Sequence, residues 1–224
     1  MMKSASLLLF VPVAAVLGGA SYVAFHPGIT YASPRIAHFA PTAFTPQANY
    51  TIDPMHTSVY FEISHMGLSR IHGRINKFSG KIHEDSKDLS SSGVEFAAQI
   101  DSIDTAVSAR DTHLKSADFF EATKYPELTF KSTKVEKSKD GYTLTGDLTI
   151  KGKAKSVSIP FKHYGPYTLT VGDKSTRIGV IAEPITLKRS DFGVGGPFAL
   201  PDGTPGVSDE LTVRISLEGT LDKS

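Results

Sequence analysis

His56, His65, His72, His83, His113 and His163 are the side chains of this 224-residue chain best suited to chemistry. Imidazole titrates near neutral pH and is the commonest metal ligand, so a zinc or copper site is the first reading to test. The spacings argue against it. No pair stands at the i, i+4 interval of a helical metalloprotease site, and no two flank a shared turn. Only a cross-strand meeting, as of His65 with His83, would keep a metal in play. Nucleophilic catalysis has no Gly-x-Ser-x-Gly elbow to stand on. The chain contains no cysteine, which removes thiol catalysis, thiolate metal sites and disulfides together. Paired acids such as Asp101/Asp104 and Glu84/Asp85 fall in turn-like contexts that suit a solvated surface. Gly195-Gly196 lacks the Lys-Ser/Thr pair of a phosphate loop. These residues assemble no active site, and no cofactor or metal is expected.

One cluster differs in kind. Ser102-Ile103-Asp104-Thr105 followed by Arg110-Asp111-Thr112-His113-Leu114 compresses two acids, an arginine and a histidine into a loop and a helix start. A structural role would have Asp and Thr bonding the turn backbone while Arg110 pairs with a carboxylate. A functional role would set Arg110 and His113 at the mouth of a cavity, holding the polar head of a lipid.

The elements that must position these side chains are strands. Val59, Phe61 and Ile63 alternate with polar residues, as do Val94, Phe96, Ala98 and Ile100. The same period of two recurs at Tyr142, Leu144, Leu148 and Ile150, and again at Leu211, Val213, Ile215 and Leu217. Alternation gives each strand one wet and one apolar face, which predicts antiparallel sheets closed into a barrel or stacked in a sandwich. Strands are predicted near 50–54, 57–65, 72–84, 92–102, 127–137, 141–151, 154–164, 176–188 and 209–221. Lys139-Asp140-Gly141 and Lys151-Gly152-Lys153 predict tight hairpins, and a change of phase between Ile75 and Phe78 predicts a bulge. Ser108-Ala109-Arg110-Asp111 approaches a capping box and predicts a helix over 109–117. The Gly- and Pro-rich stretch 192–209 is predicted irregular and could border an opening. Phe61, Phe78, Phe96, Phe130 and Phe161 fall on inward positions, where aromatics can either fill a small barrel or line a hollow one.

Net charge is +1, so there is no electrostatic case for nucleic acid. Lys3 precedes residues 5–25, a stretch without charge, which reads as a signal peptide or an N-terminal membrane anchor. Pro12 and the small residues at Gly18-Gly19-Ala20 and Thr30-Tyr31-Ala32 favour cleavage over an anchor. Residues 26–48 carry Pro27, Pro34, Pro41 and Pro46 and read as a linker, leaving 49–224 as the folded domain. The expected location is periplasmic or secreted, with membrane association through the N-terminal segment if that segment is kept.

The chain closely resembles the YceI-like family of exported bacterial lipid- and polyisoprenoid-binding proteins. The resemblance rests on Tyr50-x-Ile52-Asp53-Pro54-x-His56, Phe61-x-Ile63-x-His65, Ser102-Ile103-Asp104-Thr105 and Arg110-Asp111-x-His113-Leu114. It continues through Asp118-Phe119-Phe120, Tyr125-Pro126-x-Leu128-Thr129-Phe130, Gly146-x-Leu148-Thr149-Ile150-x-Gly152 and Arg189-Ser190-Asp191-Phe192-Gly193. Ala106 stands where glycine is more usual. The resemblance implies an all-β, extended lipocalin-like antiparallel barrel of about eight strands with a short capping helix. It also implies a long isoprenoid or fatty chain held inside and no catalytic activity.

The expected function is therefore that of a non-enzymatic carrier for an isoprenoid, quinone-like or other lipid ligand. Phe61, Ile63, Phe78, Phe96, Ile100, Phe130, Leu144, Leu148 and Phe161 are expected to line the cavity, with His65, Arg110 and His113 at its mouth. Two other classes stay open: a histidine-dependent metal or redox enzyme, and a membrane-tethered interaction module whose barrel its own phenylalanines fill. Oligomeric state also stays open, a dimer included.

Overall fold

The computed structural model describes residues 48–223; the expected leader, 1–25, and the linker up to residue 47 lie outside the described residues. Ala48, expected at the end of the linker, already belongs to the first strand. The strands are β1 (Ala48–Ile52), β2 (Ser58–His65), β3 (Ser69–Ile75), β4 (Phe78–Glu84), β5 (Gly93–Gln99) and β6 (Ile103–Asp104). After the helix α1 (Ser108–Lys115) come β7 (Glu127–Lys137), β8 (Tyr142–Ile150), β9 (Lys153–Thr168), β10 (Thr176–Ala182), β11 (Ile185–Lys188) and β12 (Val207–Leu221).

All pairings are antiparallel and the sheet closes on itself as an eight-stranded barrel. Closure depends on the long β12. Its last residues pair with β10 on one edge and β1 on the other, while its first half pairs with β11 and β2. Four of the eight barrel positions are thus occupied by two short strands laid end to end: β1 with β2, β3 with β4, β5 with β6, and β10 with β11. Each break has a local cause. Asn76-Lys77 breaks the strand between Ile75 and Phe78, where a bulge is predicted, and both backbone N–H groups donate to Ser102 Oγ. Pro184, which has no N–H to give a ladder, separates β10 from β11. The predicted single strands 72–84, 92–102 and 176–188 are each corrected to two for this reason or, at 100–102, by a 3-10 turn.

The β8–β9 hairpin turns at Lys151 and Gly152, with φ of 50° and 72°. Two successive positive φ values make the twist that matches paired strands, and glycine adopts the second without strain. The helix start is corrected. Val107 caps it with no side-chain bond, and Asp111 reaches back instead to Thr105, accepting from its N at 2.9 Å and its Oγ1 at 2.6 Å. Ala106 takes φ 63°, the conformation for which glycine is the usual choice.

Tyr50, Ile52, Ile82 and Ile178 are buried at the end of the barrel where β1 meets β12. Toward the other end the interior is not filled.

Candidate ligand-binding cavity

A cavity of about 1010 Å³ runs inside the barrel and opens at the end covered by α1 and the 193–206 loop. That is at the top of the roughly 300–1,000 Å³ range for small-molecule sites, so its capacity suits a long chain. The reason it stays hollow lies in how its rings are seated. A Cβ on Gly73, the register partner of Phe61, would sit 2.2 Å from the Phe61 Cζ. A Cβ on Gly146 would sit 2.5 Å from the Phe130 Cζ. In both cases the tip of the ring fills the space that a side chain would take on a glycine of the neighbouring strand.

Seven of the expected lining residues stand on this wall: Phe61, Ile63, Phe96, Phe130, Leu144, Leu148 and Phe161. Phe78 and Ile100 are buried elsewhere and are corrected. Phe78 follows the break and stacks on Phe96 at 5.7 Å between ring centres, and Ile100 opens the 3-10 turn that ends strand alternation. Residues that the sequence reading did not place there include Phe119, Phe120, Leu187, Arg189 and Phe198. Their signal was present only in part. Ile185 and Leu187 show the period of two, but Phe119, Phe120 and Phe198 sit in irregular chain where no period exists.

His65, Arg110 and His113 stand on the cavity wall, together with Ser69, Thr105, Asp118 and Arg189. His113 Nε2 is 3.0 Å from Asp118 Oδ2, and its ring meets the Phe119 ring edge-on at 4.9 Å. Arg110 does not pair with a carboxylate. Its Nε donates to Thr105 Oγ1 at 2.7 Å and its Nη2 to the Thr105 carbonyl at 2.6 Å. His65 and Ser69 face each other in the β2–β3 register, but no hydrogen bond joins them into a nucleophile–base pair.

Among the described residues the histidines do not gather. His65 is at the open end, while His83 Nδ1 lies 2.7 Å from Asn49 Oδ1 at the opposite end, so the cross-strand meeting of the two does not occur. Asp53, His56 and Glu218 do converge, with ligand atoms within 4.8 Å of one another. A guanidinium already sits among them: Arg177 Nη1 donates to Asp53 Oδ2 at 2.9 Å and to Glu218 Oε1 at 2.5 Å, and Nη2 reaches Asp173 Oδ2 at 2.9 Å. This network ties the β9–β10 hairpin to the β1–β2 loop and β12. The Ser175 backbone N–H and the Arg177 guanidinium hold the Asp173 carboxyl down at about 2. Burial works against ionisation of Asp53, yet the His56 hydrogen bond and the Met55 N–H leave its carboxyl below the usual range. The hydrogen bond to Asp53 raises His56 above its ordinary 6.5.

The signs give opposite limbs. The carboxylates stabilise the fold above their unfolded value of 3.8 and lose that contribution as pH falls through the folded ones. Protonated His56 contributes fully below 6.5 and loses its share as pH rises through its raised value. Thermal melts across pH should therefore show a plateau between these limits. His56→Gln should flatten the alkaline limb and weaken the Asp53 share of the acid limb while leaving the Asp173 share in place; an unchanged alkaline limb would contradict this assignment.

A family model described as a YceI-like domain matches residues 50–219. Protein YceI of Shigella flexneri is 36% identical over 201 residues, covering 88% of this chain and 97% of that protein. Among solved structures, BcnA of Burkholderia cenocepacia superposes with a TM-score of 0.64 at 24% identity, over 75% of this chain and 98% of BcnA. A polyisoprenoid-binding domain from Saccharophagus degradans shares the fold with a TM-score of 0.55 at 14% identity, over 79% of this chain and all, 100%, of that domain.

Proposed function

Because this chain belongs to the YceI-like family, we propose that its barrel is a non-enzymatic carrier for a long-chain isoprenoid, quinone-like or other lipid molecule. The observation that carries the reading is the hollow apolar lumen of about 1010 Å³, in whose wall the Phe61 and Phe130 ring tips are seated against glycines. Apolar burial supplies ~25 cal/mol per Å², so an enclosed hydrocarbon chain is held by area with no specific hydrogen bond. Such binding discriminates weakly among chain lengths, since one methylene changes affinity only modestly. The polyisoprenoid class that the S. degradans domain is described as binding fits this capacity. The charge-free stretch after Lys3 supports a place for the carrier outside the cytoplasmic membrane, exported or anchored there.

Gly73→Val tests the reading. The new side chain displaces only the far end of the Phe61 ring, which must swing off the wall into the lumen. The expected cost in stability is about 1–3 kcal/mol. Uptake of a long-chain polyprenol by delipidated protein should fall sharply while the fold persists. A folded variant that loads as the parent does would contradict the proposal.

A further inference from the structure

Past Phe161, β9 runs on beyond the start of β8 and keeps β10 as its sole strand partner. β10 in turn has β12 beside it only from Arg177 onward. The turn closed by the Thr168–Thr176 pair therefore stands past the barrel with no sheet on either side. A two-stranded ribbon has no interior in which to bury an apolar side chain. Three such side chains nevertheless stand close together here: Tyr167 and Val171 are 64% and 75% exposed, and Leu169 is 37% exposed.

The turn that carries them is braced by its own polar groups. Asp173 Oδ1 accepts from Ser175 N at 3.1 Å and Ser175 Oγ at 2.9 Å, and Arg177 Nη2 donates to Asp173 Oδ2 at 2.9 Å. Leu169 N donates to Ser175 O at 2.9 Å, and the Thr168 and Thr176 hydroxyls lie 2.9 Å apart. The polar groups satisfy one another, which leaves the apolar ones facing out of a built turn. Clustered exposed apolar groups of this kind mark a contact surface.

The path of the chain says what covers it. Tyr50 pairs with Leu221, and Asp222 N donates to Asn49 O, so Ala48 enters the barrel past Leu221. That is the end from which the 168–176 turn projects, since Arg177 pairs with Thr220. The charge-free stretch 5–25 is thus covalently joined to the barrel at the apolar turn's own end. The α1 end exposes Leu68, Val107 and Phe198, but Phe198 belongs to the cavity wall and Ala48 is at the opposite end.

We propose that the β9–β10 turn is a membrane-docking element. Tyr167, Leu169 and Val171 enter the boundary between headgroups and acyl chains of a bilayer, and the α1 end points away from that surface. Tyrosine suits the headgroup level, and leucine and valine the apolar side. Asp173 is paired with Arg177, whereas Lys174 in the same turn makes no ion pair among the described residues, which favours anionic headgroups. Three side chains make a weak contact, but attachment through residues 5–25 renders docking intramolecular, and then a weak contact suffices. The inference goes beyond the carrier reading, because a filled barrel would dock in the same way.

The chain contains no tryptophan, so one introduced indole reports without background. Val171→Trp and, at the α1 end, Leu68→Trp are made in the full chain as its host processes it. Both positions are exposed, so neither new ring meets a packed neighbour. Vesicles of phosphatidylethanolamine and phosphatidylglycerol in equal parts are added, with or without brominated acyl chains. The Val171→Trp emission should shift to the blue and be quenched by the brominated lipid, while Leu68→Trp keeps a solvent-like spectrum. Adding Leu169→Asp to Val171→Trp should cut the shifted fraction at subsaturating lipid roughly tenfold. A Val171→Trp spectrum that vesicles leave unchanged overturns the proposal, as does a shift of Leu68→Trp in its place. A shift that appears without vesicles and grows with protein concentration overturns it in favour of a second copy of the chain seated on the turn. Cargo plays no part in this readout, so failure here leaves the carrier reading standing.

Discussion

Phe130→Asp should empty the barrel. Phe130 is 7% exposed, lies on the cavity wall and packs across Gly146. Its replacement removes a large apolar face and sets a carboxylate where the ligand chain would lie. Losing the ring costs about 3–5 kcal/mol of fold stability. Desolvating the new charge beneath a bound hydrocarbon costs several kcal/mol more, which predicts a loss of affinity on the order of 100-fold or greater. Phe130→Ala is the companion variant, equally short of the ring but uncharged, and it should keep most of its lipid. Retention is measured by organic extraction of the folded fraction, identified by its far-UV circular dichroism. A folded Phe130→Asp protein with lipid content equal to the parent's would show that this wall does not contact the ligand.

Gly80→Val should destabilise the fold rather than alter the site. Gly80 faces Phe96 across the β4–β5 ladder, and a Cβ there would stand 2.3 Å from the Glu95 carbonyl oxygen and 2.7 Å from Ile52 Cδ1. The first neighbour is backbone, so relief requires the two strands to part. Overpacking of this kind costs about 3 kcal/mol or more, a loss in Tm on the order of 10 °C. Gly196→Ala provides the contrast, because nothing lies within 4 Å of its added Cβ. It should melt within a degree or two of the parent, and a Gly80→Val protein that does the same would refute the close approach of these strands.

The barrel's strands and glycines show what the sequence can and cannot express. The period of two at Val94, Phe96 and Ala98, or at Leu211 through Leu217, makes strand and inward face legible at once, because burial enforces it residue by residue. The turn at Lys151-Gly152 is legible for an equally local reason. Whether the barrel is filled or hollow is not local. It depends on Gly73 lying opposite Phe61 and on Gly146 lying diagonal to Phe130 on the neighbouring strand, a placement that only register supplies. The same limit explains Phe78 and Ile100, where a strand break and a 3-10 turn shift the phase that placed them on the wall.

The open end was readable in part. Arg110 and His113 were marked by the density of polar residues in one short stretch, and they do border the cavity. Arg110's partner was misjudged, since Thr105 rather than a carboxylate receives it. Arg189 carried no local signal of its place. It reaches the opening because β11 ends there and the following loop folds back over it, with Val194 and Gly196 offering their carbonyls.

The most direct test of the carrier is native mass spectrometry, with organic extraction, of the protein purified from its natural host. A stoichiometric long-chain isoprenoid or fatty species should accompany the folded protein and be released on extraction. Protein that arrives empty and also fails to take up added quinones and lipids would contradict the account.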